Sequence, residues 1–247
     1  METRRIRFYL GAVFCLYERV IGIRAVLHVI SDQQRHRLPL EQALLQSVLG
    51  GADVVQVRQK KMPAAETYAF VRGLMAQCQE EALAPRIFVN DRLDVAMASH
   101  ASGVHLAAKS IPVDAARQVC QQARWPGLIG CSVHSLAEAK SAERLGADYV
   151  TFGHVFPSPS HSALAPQGIG TLAEIVSQTD IPVIAIGGID EHNISQVLET
   201  GCSGVAVIGA VLQSDDPRRV ASRLLDRIAR STVSPRRRFP HAGEERG

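Results

Sequence analysis

The strongest constraint on this chain is a repeat of eight short apolar runs separated by helical stretches. The runs are Ala25–Ile30, Val54–Arg58, Ile87–Asn90, Gly103–Leu106, Leu128–Ser132, Tyr149–Phe152, Val183–Ile186 and Gly204–Ile208. Most are continuous rather than alternating, which marks strands buried on both faces, as in a parallel sheet covered by helices. Between them, Pro39–Leu49 sets Leu40, Ala43, Leu44, Ser47 and Val48 on one helical face. Ser135-Leu136-Ala137-Glu138 reads as a capping box, and Gly146 as the end of the helix it starts. Ile189–Thr200 repeats that plan, with Asp190 as N-cap and Gly201 as terminator. Gly50–Asp53, Gly146–Asp148 and Gly201–Ser203 then lead into strands. A unit of strand, loop, helix and turn in eight copies predicts an α/β fold, a (β/α)8 TIM barrel. A doubly wound open sheet is the alternative.

The barrel is expected over 23–230. An N-terminal extension, 1–22, precedes it as a helix or disordered segment. A basic tail, 231–247, follows, with Pro235, Pro240 and Arg236-Arg237-Arg238 but few apolar residues, and is expected to be disordered. Within the extension, Arg4-Arg5-Ile6-Arg7 precedes an apolar stretch from Phe8 to Tyr17. That stretch is shorter than the ~20 residues that span a bilayer, and Glu18-Arg19 stand where a cleavage site needs small residues. A net charge of +3 is too mild to argue for nucleic acid, and no helix-turn-helix signal accompanies it. Cys15, Cys78, Cys120, Cys131 and Cys202 form no Cys-x-x-Cys pair, so no zinc site or disulfide framework is expected. Cys131 and Cys202 read as small packed hydrophobes. The expectation is a cytoplasmic protein without nucleic-acid or membrane partners. Its oligomeric state is open, a homo-oligomer included.

In a (β/α)8 barrel the carboxyl ends of the strands share one mouth, where chemistry occurs. His28, Ser31, Asp32, Gln56, Arg58, Asn90, Asp91, His105, Ser132, His134 and His154 collect at those ends, while the strands themselves are poor in polar groups. His154 closes a buried strand with an imidazole, a group that accepts and donates protons near neutrality; the bland reading is a structural hydrogen bond. Gly187-Gly188 and Gly209 follow the last two strands, where barrels bind phosphate through backbone amides. Gly168, in the loop after the sixth strand, completes that cradle. Arg58 and Lys60 are candidate anion clamps or partners of Asp32. Asn90-Asp91 offers a hydrogen-bond anchor, but one carboxylate is thin for magnesium. His134 reads as structural beside its helix cap, and His105 as lining or packing.

In order along the chain, these strings resemble the thiamin phosphate synthase and thiazole tautomerase (TenI-like) superfamily: Leu27–Asp32, Val55–Lys60, Phe88–Asp91, Gly103–Leu106, Gly130–Ser135, Ala147–Val150, Phe152–Phe156 and Pro182–Ile189. The resemblance runs from Ala25 to Ile228. It implies a choice between two chemistries. The synthase joins a pyrimidine diphosphate to a thiazole phosphate using magnesium, and its Gly-Val-His-Leu segment continues Gly-Gln-x-Asp, the Asp being a metal ligand. Here Leu106 is followed by Ala107-Ala108-Lys109-Ser110. The synthase's hydroxyl-rich loop carries a lysine for the diphosphate; here Phe156-Pro157-Ser158-Pro159-Ser160 runs into His161. Arg58-Gln59-Lys60 replaces Arg-Glu-Lys. Gly153-His154-Val155-Phe156 instead looks like the tautomerase, which aromatises a carboxythiazole phosphate without a metal. On that resemblance His154 shuttles the proton, and Gly168, Gly188 and Gly209 hold phosphate. Arg58 and Lys60 face the substrate carboxylate, and Asn90 and Ser132 orient the ring. No cofactor is expected, and the partner is a small phosphorylated thiazole. The synthase, or a non-catalytic barrel that binds a phosphometabolite, is the alternative.

Overall fold

The computed structural model describes residues 24–107, 109–158 and 165–240. The expected N-terminal extension lies outside the described residues, as do residues 159–164. Eight parallel strands close into a barrel in sequence order. They are β1 (Val26–Ile30), β2 (Val54–Val57), β3 (Arg86–Asn90), β4 (Gly103–Leu106), β5 (Leu128–Val133), β6 (Tyr149–Gly153), β7 (Val183–Ile186) and β8 (Gly204–Val207). The helices are α1 (Leu40–Leu49), α2 (Ala64–Glu80), α3 (Leu93–Ala98), α4 (Val113–Gln122), α5 (Leu136–Arg144), α6 (Gly168–Gln178), α7 (Ile194–Leu198), α8 (Gly209–Leu212) and α9 (Pro217–Ala229). The predicted TIM barrel is the observed fold. Its outer core lies between helices and strands; Ala43, Leu44, Ser47 and Val48 of α1 face it as their spacing requires.

A three-residue turn recurs before every second strand. Gly51-Ala52-Asp53, His100-Ala101-Ser102, Gly146-Ala147-Asp148 and Gly201-Cys202-Ser203 each begin with positive φ (+100°, +57°, +91° and +74°). The third residue then grips the preceding strand twice. Its side chain accepts the backbone N–H of Leu27, Ile87, Ile129 or Val183, at 2.8, 3.2, 2.6 and 3.2 Å in turn. Its own N–H donates to the carbonyl of that same residue. Arginines complete the two acidic copies: Arg24 pairs with Asp53 at 2.8 Å and Arg117 with Asp148 at 2.7 Å.

Glycine makes room for aromatic rings inside the barrel floor. A Cβ on Gly103 would stand 2.3 Å from the Phe88 ring, and one on Gly130 would stand 2.1 Å from Tyr149. Phe88, Tyr149, Val26, Val54 and Ile184 form this inner cluster. Phe239 joins them, only 4% exposed, with its ring 4.9 Å from that of Tyr149. The Arg86 guanidinium lies 4.4 Å from the Phe239 ring centre and donates to the Pro240 carbonyl. Arg236 N–H bonds Gly201 O at 2.8 Å, and Ser203 bonds Arg237 O at 2.7 Å. The expectation of a disordered tail is therefore corrected for residues 231–240. Composition argued for solvation, but one phenylalanine among arginines fills a floor that the glycines leave open.

Two local expectations meet different outcomes. Ser135 caps α5 by accepting from Glu138 N–H, and Glu138 reaches back to the His134 N–H. Asp190 does not cap a helix over 189–200. Its carboxylate accepts from the His192 N–H and its own N–H donates to Asn193 Oδ1, an Asx turn that delays α7 to Ile194. Cys131 and Cys202 are buried free thiols whose burial pushes them up to about 11, as packing residues should be.

Asp148→Ala removes an acceptor from Ile129 N–H and the carboxylate partner of a mostly buried Arg117, whose guanidinium keeps its bonds to Gly146 O. The unfolding free energy from urea titration is expected to fall by about 3 kcal/mol. An unchanged midpoint would show that the turn does not hold the strand pair.

Candidate active site

Most of the polar groups at the strand ends lie in the upper barrel, above the apolar floor. At the mouth of β3 and β4 they form one network. Gln56 Nε2 donates to Asn90 Oδ1 at 2.9 Å, and Asn90 Nδ2 donates to Asp91 Oδ2 at 2.6 Å. Asp91 Oδ1 accepts from Ala107 N–H at 3.1 Å and from the Ser110 hydroxyl. Ser110 also accepts from Ala107 N–H at 2.8 Å. Asp91 adopts a φ of +61°, a left-handed conformation that aspartate tolerates better than most residues.

This network tests the magnesium that the synthase resemblance implies. The fourth residue after Leu106, where the pattern calls for a second carboxylate, is Ser110. Its hydroxyl and two N–H groups already engage both oxygens of the one remaining carboxylate. Among the described residues no group of three or more His, Cys, Asp or Glu is placed to hold a metal. Magnesium takes oxygen ligands in near-octahedral geometry. Donors aimed at Asp91 do not fit that requirement.

On the facing strands, His105 bridges two hydroxyls. Its Nδ1 lies 3.1 Å from Tyr149 Oη, and its Nε2 lies 2.9 Å from Ser132 Oγ. Burial lowers its pKa to about 4, against attraction from Asp91 and with repulsion from Arg58. His28 is completely buried, and neither ring nitrogen has a hydrogen-bond partner among the described residues. Burial first, then His105 and Arg86, holds its pKa well below the ordinary value.

His154 follows β6 directly and is 4% exposed. The chain there keeps contact with β7: Val155 N–H donates to Ile186 O and Phe156 N–H to Gly187 O. Gly187 packs on the histidine itself, since a Cβ there would lie 2.3 Å from His154 Cβ. His134 donates from Nδ1 to Gly153 O at 2.8 Å, the carbonyl just before His154. That matches its structural reading.

The other expected residues separate. Gly188 has φ +64° and lies against Phe156 and Pro157, so the glycine turn and the segment after β6 are adjacent. Gly209 begins α8 after β8. Gly168 begins α6, but its N–H donates to Val155 O at 3.1 Å. The expectation that its own amide holds phosphate is corrected: closing the loop back onto the strand end engages it. Arg58 lies 3.6 Å from Asp32, the alternative pairing foreseen for it. Lys60 sits exposed in the turn after β2, apart from the buried network. Asn90 and Ser132 are both in hydrogen-bonded contact with mouth residues. Tyr149 and Ser110 were missed. Tyr149 lies at the start of its strand, away from the mouth, and its signal was the adjacent Gly130. Ser110 occupies a position noted only for the carboxylate it lacks.

Fold and site together define a (β/α)8 barrel enzyme class whose members act at the strand carboxyl ends. The model of the family described as thiamine monophosphate synthase matches residues 27–211, and the chain belongs to that family. Thiamine-phosphate synthase from Pyrococcus furiosus is 39% identical over 199 residues, 80% of this chain and 92% of that protein. A putative thiamine-phosphate synthase from Geobacter sulfurreducens is 39% identical over 180 residues, covering 72% and 82%. The structure of thiamine phosphate pyrophosphorylase from Pyrococcus furiosus superposes with a TM-score of 0.74 at 36% identity, covering 82% of this chain and 95% of that one. These relatives carry the synthase name, not that of the tautomerase branch.

His105 binds fewer protons folded than unfolded between about pH 4 and its ordinary 6.5. Its contribution is therefore complete above about pH 6.5 and lost as pH falls toward about 4, amounting to about 3 kcal/mol. His28 acts in the same direction. Urea titrations should show stability falling from pH 6.5 to 5, with a shallower slope in His105→Asn. A flat wild-type profile would mean that His105 titrates alike in both states.

Proposed function

We propose that this family member is a thiazole tautomerase that aromatises a carboxythiazole phosphate tautomer without a metal. The observation that carries the reading is His154, a buried imidazole at the carboxyl end of β6, enclosed by Gly187. The Asp91 network supports it, because a carboxylate already satisfied by Ser110, Ala107 and Asn90 suits anchoring better than cation binding.

In the proposed reaction His154 removes the proton from the ring carbon that bears the carboxylate. The electron pair released forms a ring double bond, the exocyclic double bond opens, and the exocyclic carbon takes a proton back. Atoms and electrons balance within the substrate, and the gain of aromaticity drives the change. Imidazole suits both transfers near neutrality. In this reading the turns at Gly188 and Gly209 hold the phosphate through backbone amides, with the first turn of α6 after Gly168 beside them. Arg58 faces the substrate carboxylate, with Lys60 in the outer position. Asn90 and Ser132 orient the ring.

A second reading is favoured by the names of the relatives: coupling of a pyrimidine diphosphate to a thiazole phosphate. It requires a cation that the residues around Asp91 do not fit. A barrel that binds a phosphometabolite without turnover is the remaining reading. Among the described residues no helix is long and apolar enough to cross a membrane.

Aromatisation followed by ultraviolet absorbance, with chelator present, is expected to be accelerated by the wild type. His154→Ala should lower turnover by at least ~100-fold. A near-normal rate in that variant would remove His154 from the mechanism, and chelator sensitivity would overturn metal independence.

A further inference from the structure

Ser132, His105 and Tyr149 form a chain from the mouth to the barrel floor. Ser132 Oγ is 2.9 Å from His105 Nε2, and His105 Nδ1 is 3.1 Å from the Tyr149 hydroxyl. Ser132 is the partly exposed end of this chain; His105 and Tyr149 are buried. A neutral imidazole carries one N–H, so one ring nitrogen donates and the other accepts. Hydroxyls at both ends can do either, so the pair of distances alone leaves the direction open.

The surroundings of Tyr149 decide it. The ring of Phe88 meets it edge-on at 5.6 Å, and that of Phe239 at 4.9 Å. Among the described residues its hydroxyl has one hydrogen-bond partner, His105 Nδ1. Were Nδ1 protonated, the Tyr149 O–H would be a buried donor with no acceptor, which native interiors avoid. The hydroxyl must therefore donate to Nδ1, and the ring proton must sit on Nε2. Nε2–H then donates to Ser132 Oγ, so the serine hydrogen cannot turn back to His105 and is directed elsewhere. Asp91 and Arg58 are the charged groups that act on His105, in opposite senses.

We propose that Tyr149, seated by the C-terminal Phe239, fixes His105 as the Nε2–H tautomer and so makes Ser132 a hydrogen-bond donor to the ligand. The ligand atom facing Ser132 is then an acceptor, an unprotonated ring nitrogen or a carboxylate oxygen, and not an N–H. Phe239 lies beyond residues 27–211 that match the family, so a segment outside the shared domain takes part in positioning the site. The inference rests on reading the mouth as the ligand site, but not on the tautomerase reaction.

The test is nitrogen NMR of the ligand-free protein labelled with 15N-histidine at neutral pH. His105 is assigned by difference from His105→Asn, and protonated and bare ring nitrogens are told apart by their 15N shifts. The expected result is a bare Nδ1 and a protonated Nε2. Tyr149→Phe keeps the ring and removes the hydroxyl, and should convert His105 to a tautomer mixture. Phe239→Ala should shift the His105 signals in the same direction by a smaller amount. A protonated Nδ1 in the wild type overturns the proposal without any variant, as does an Nε2–H tautomer unchanged by Tyr149→Phe. Calorimetry with the aromatic carboxythiazole phosphate gives the second readout. Ser132→Ala and Tyr149→Phe should each weaken binding by about tenfold. Unchanged affinity in both overturns the donor role of Ser132, while failure of the tautomerase assay alone leaves the NMR result standing.

Discussion

The barrel depends on a double grip at the start of its strands. Before β2, β4, β6 and β8 an aspartate or serine both accepts the N–H and donates to the carbonyl of one residue in the preceding strand. Parallel neighbours joined only by slanted ladder bonds can slip, and a one-residue slip turns every inward side chain outward. The grip removes that freedom at four places around the ring. It turns eight strands into four registered pairs, and the ladders between pairs close the barrel.

Register at the floor decides what the mouth contains. With β4 and β5 held, Gly103 and Gly130 open space for Phe88 and Tyr149, and Tyr149 stands one side chain below His105. The β2–β3 ladder sets Gln56 opposite Phe88, and Asn90, two residues further along β3, comes within hydrogen-bond reach of Gln56. Above β6 the chain continues along β7 past Gly187, whose missing Cβ admits His154. The interior thus grades from aromatic rings at the floor to a hydrogen-bonded mouth. Two of its buried histidines, His28 and His105, are held neutral by burial.

Much of this was legible because it rests on local chemistry. Continuous Val and Ile runs specify buried parallel strands, and Ser135 with Glu138 specifies a helix start. Three of the four gripping turns announce themselves by glycine. The fourth does not, because His100 takes the positive φ at that place without being glycine. The tail was misread for a related reason: composition averages over residues, whereas one Phe239 needs only one vacancy. Gly168 reads in sequence as a loop residue of a phosphate cradle, whereas it opens α6 with its amide already bonded to Val155 O, an acceptor on a different element. The Asp91 network was half legible. The lost carboxylate showed in the sequence, but not that Ser110 donates to the carboxylate that remains.

Family membership and site chemistry point at different levels of function. Identity near 39% fixes the barrel and the thiamine-phosphate synthase family. In the proposed reading, Ser110 and His154 are the positions that separate the two chemistries. The most direct measurement compares both reactions in the same wild-type preparation: aromatisation of the carboxythiazole phosphate tautomer in chelator, and coupling of pyrimidine diphosphate to thiazole phosphate with magnesium. The account predicts acceleration of the first and none of the second. Magnesium-dependent coupling without accelerated aromatisation would contradict it and give the chain the activity of its named relatives.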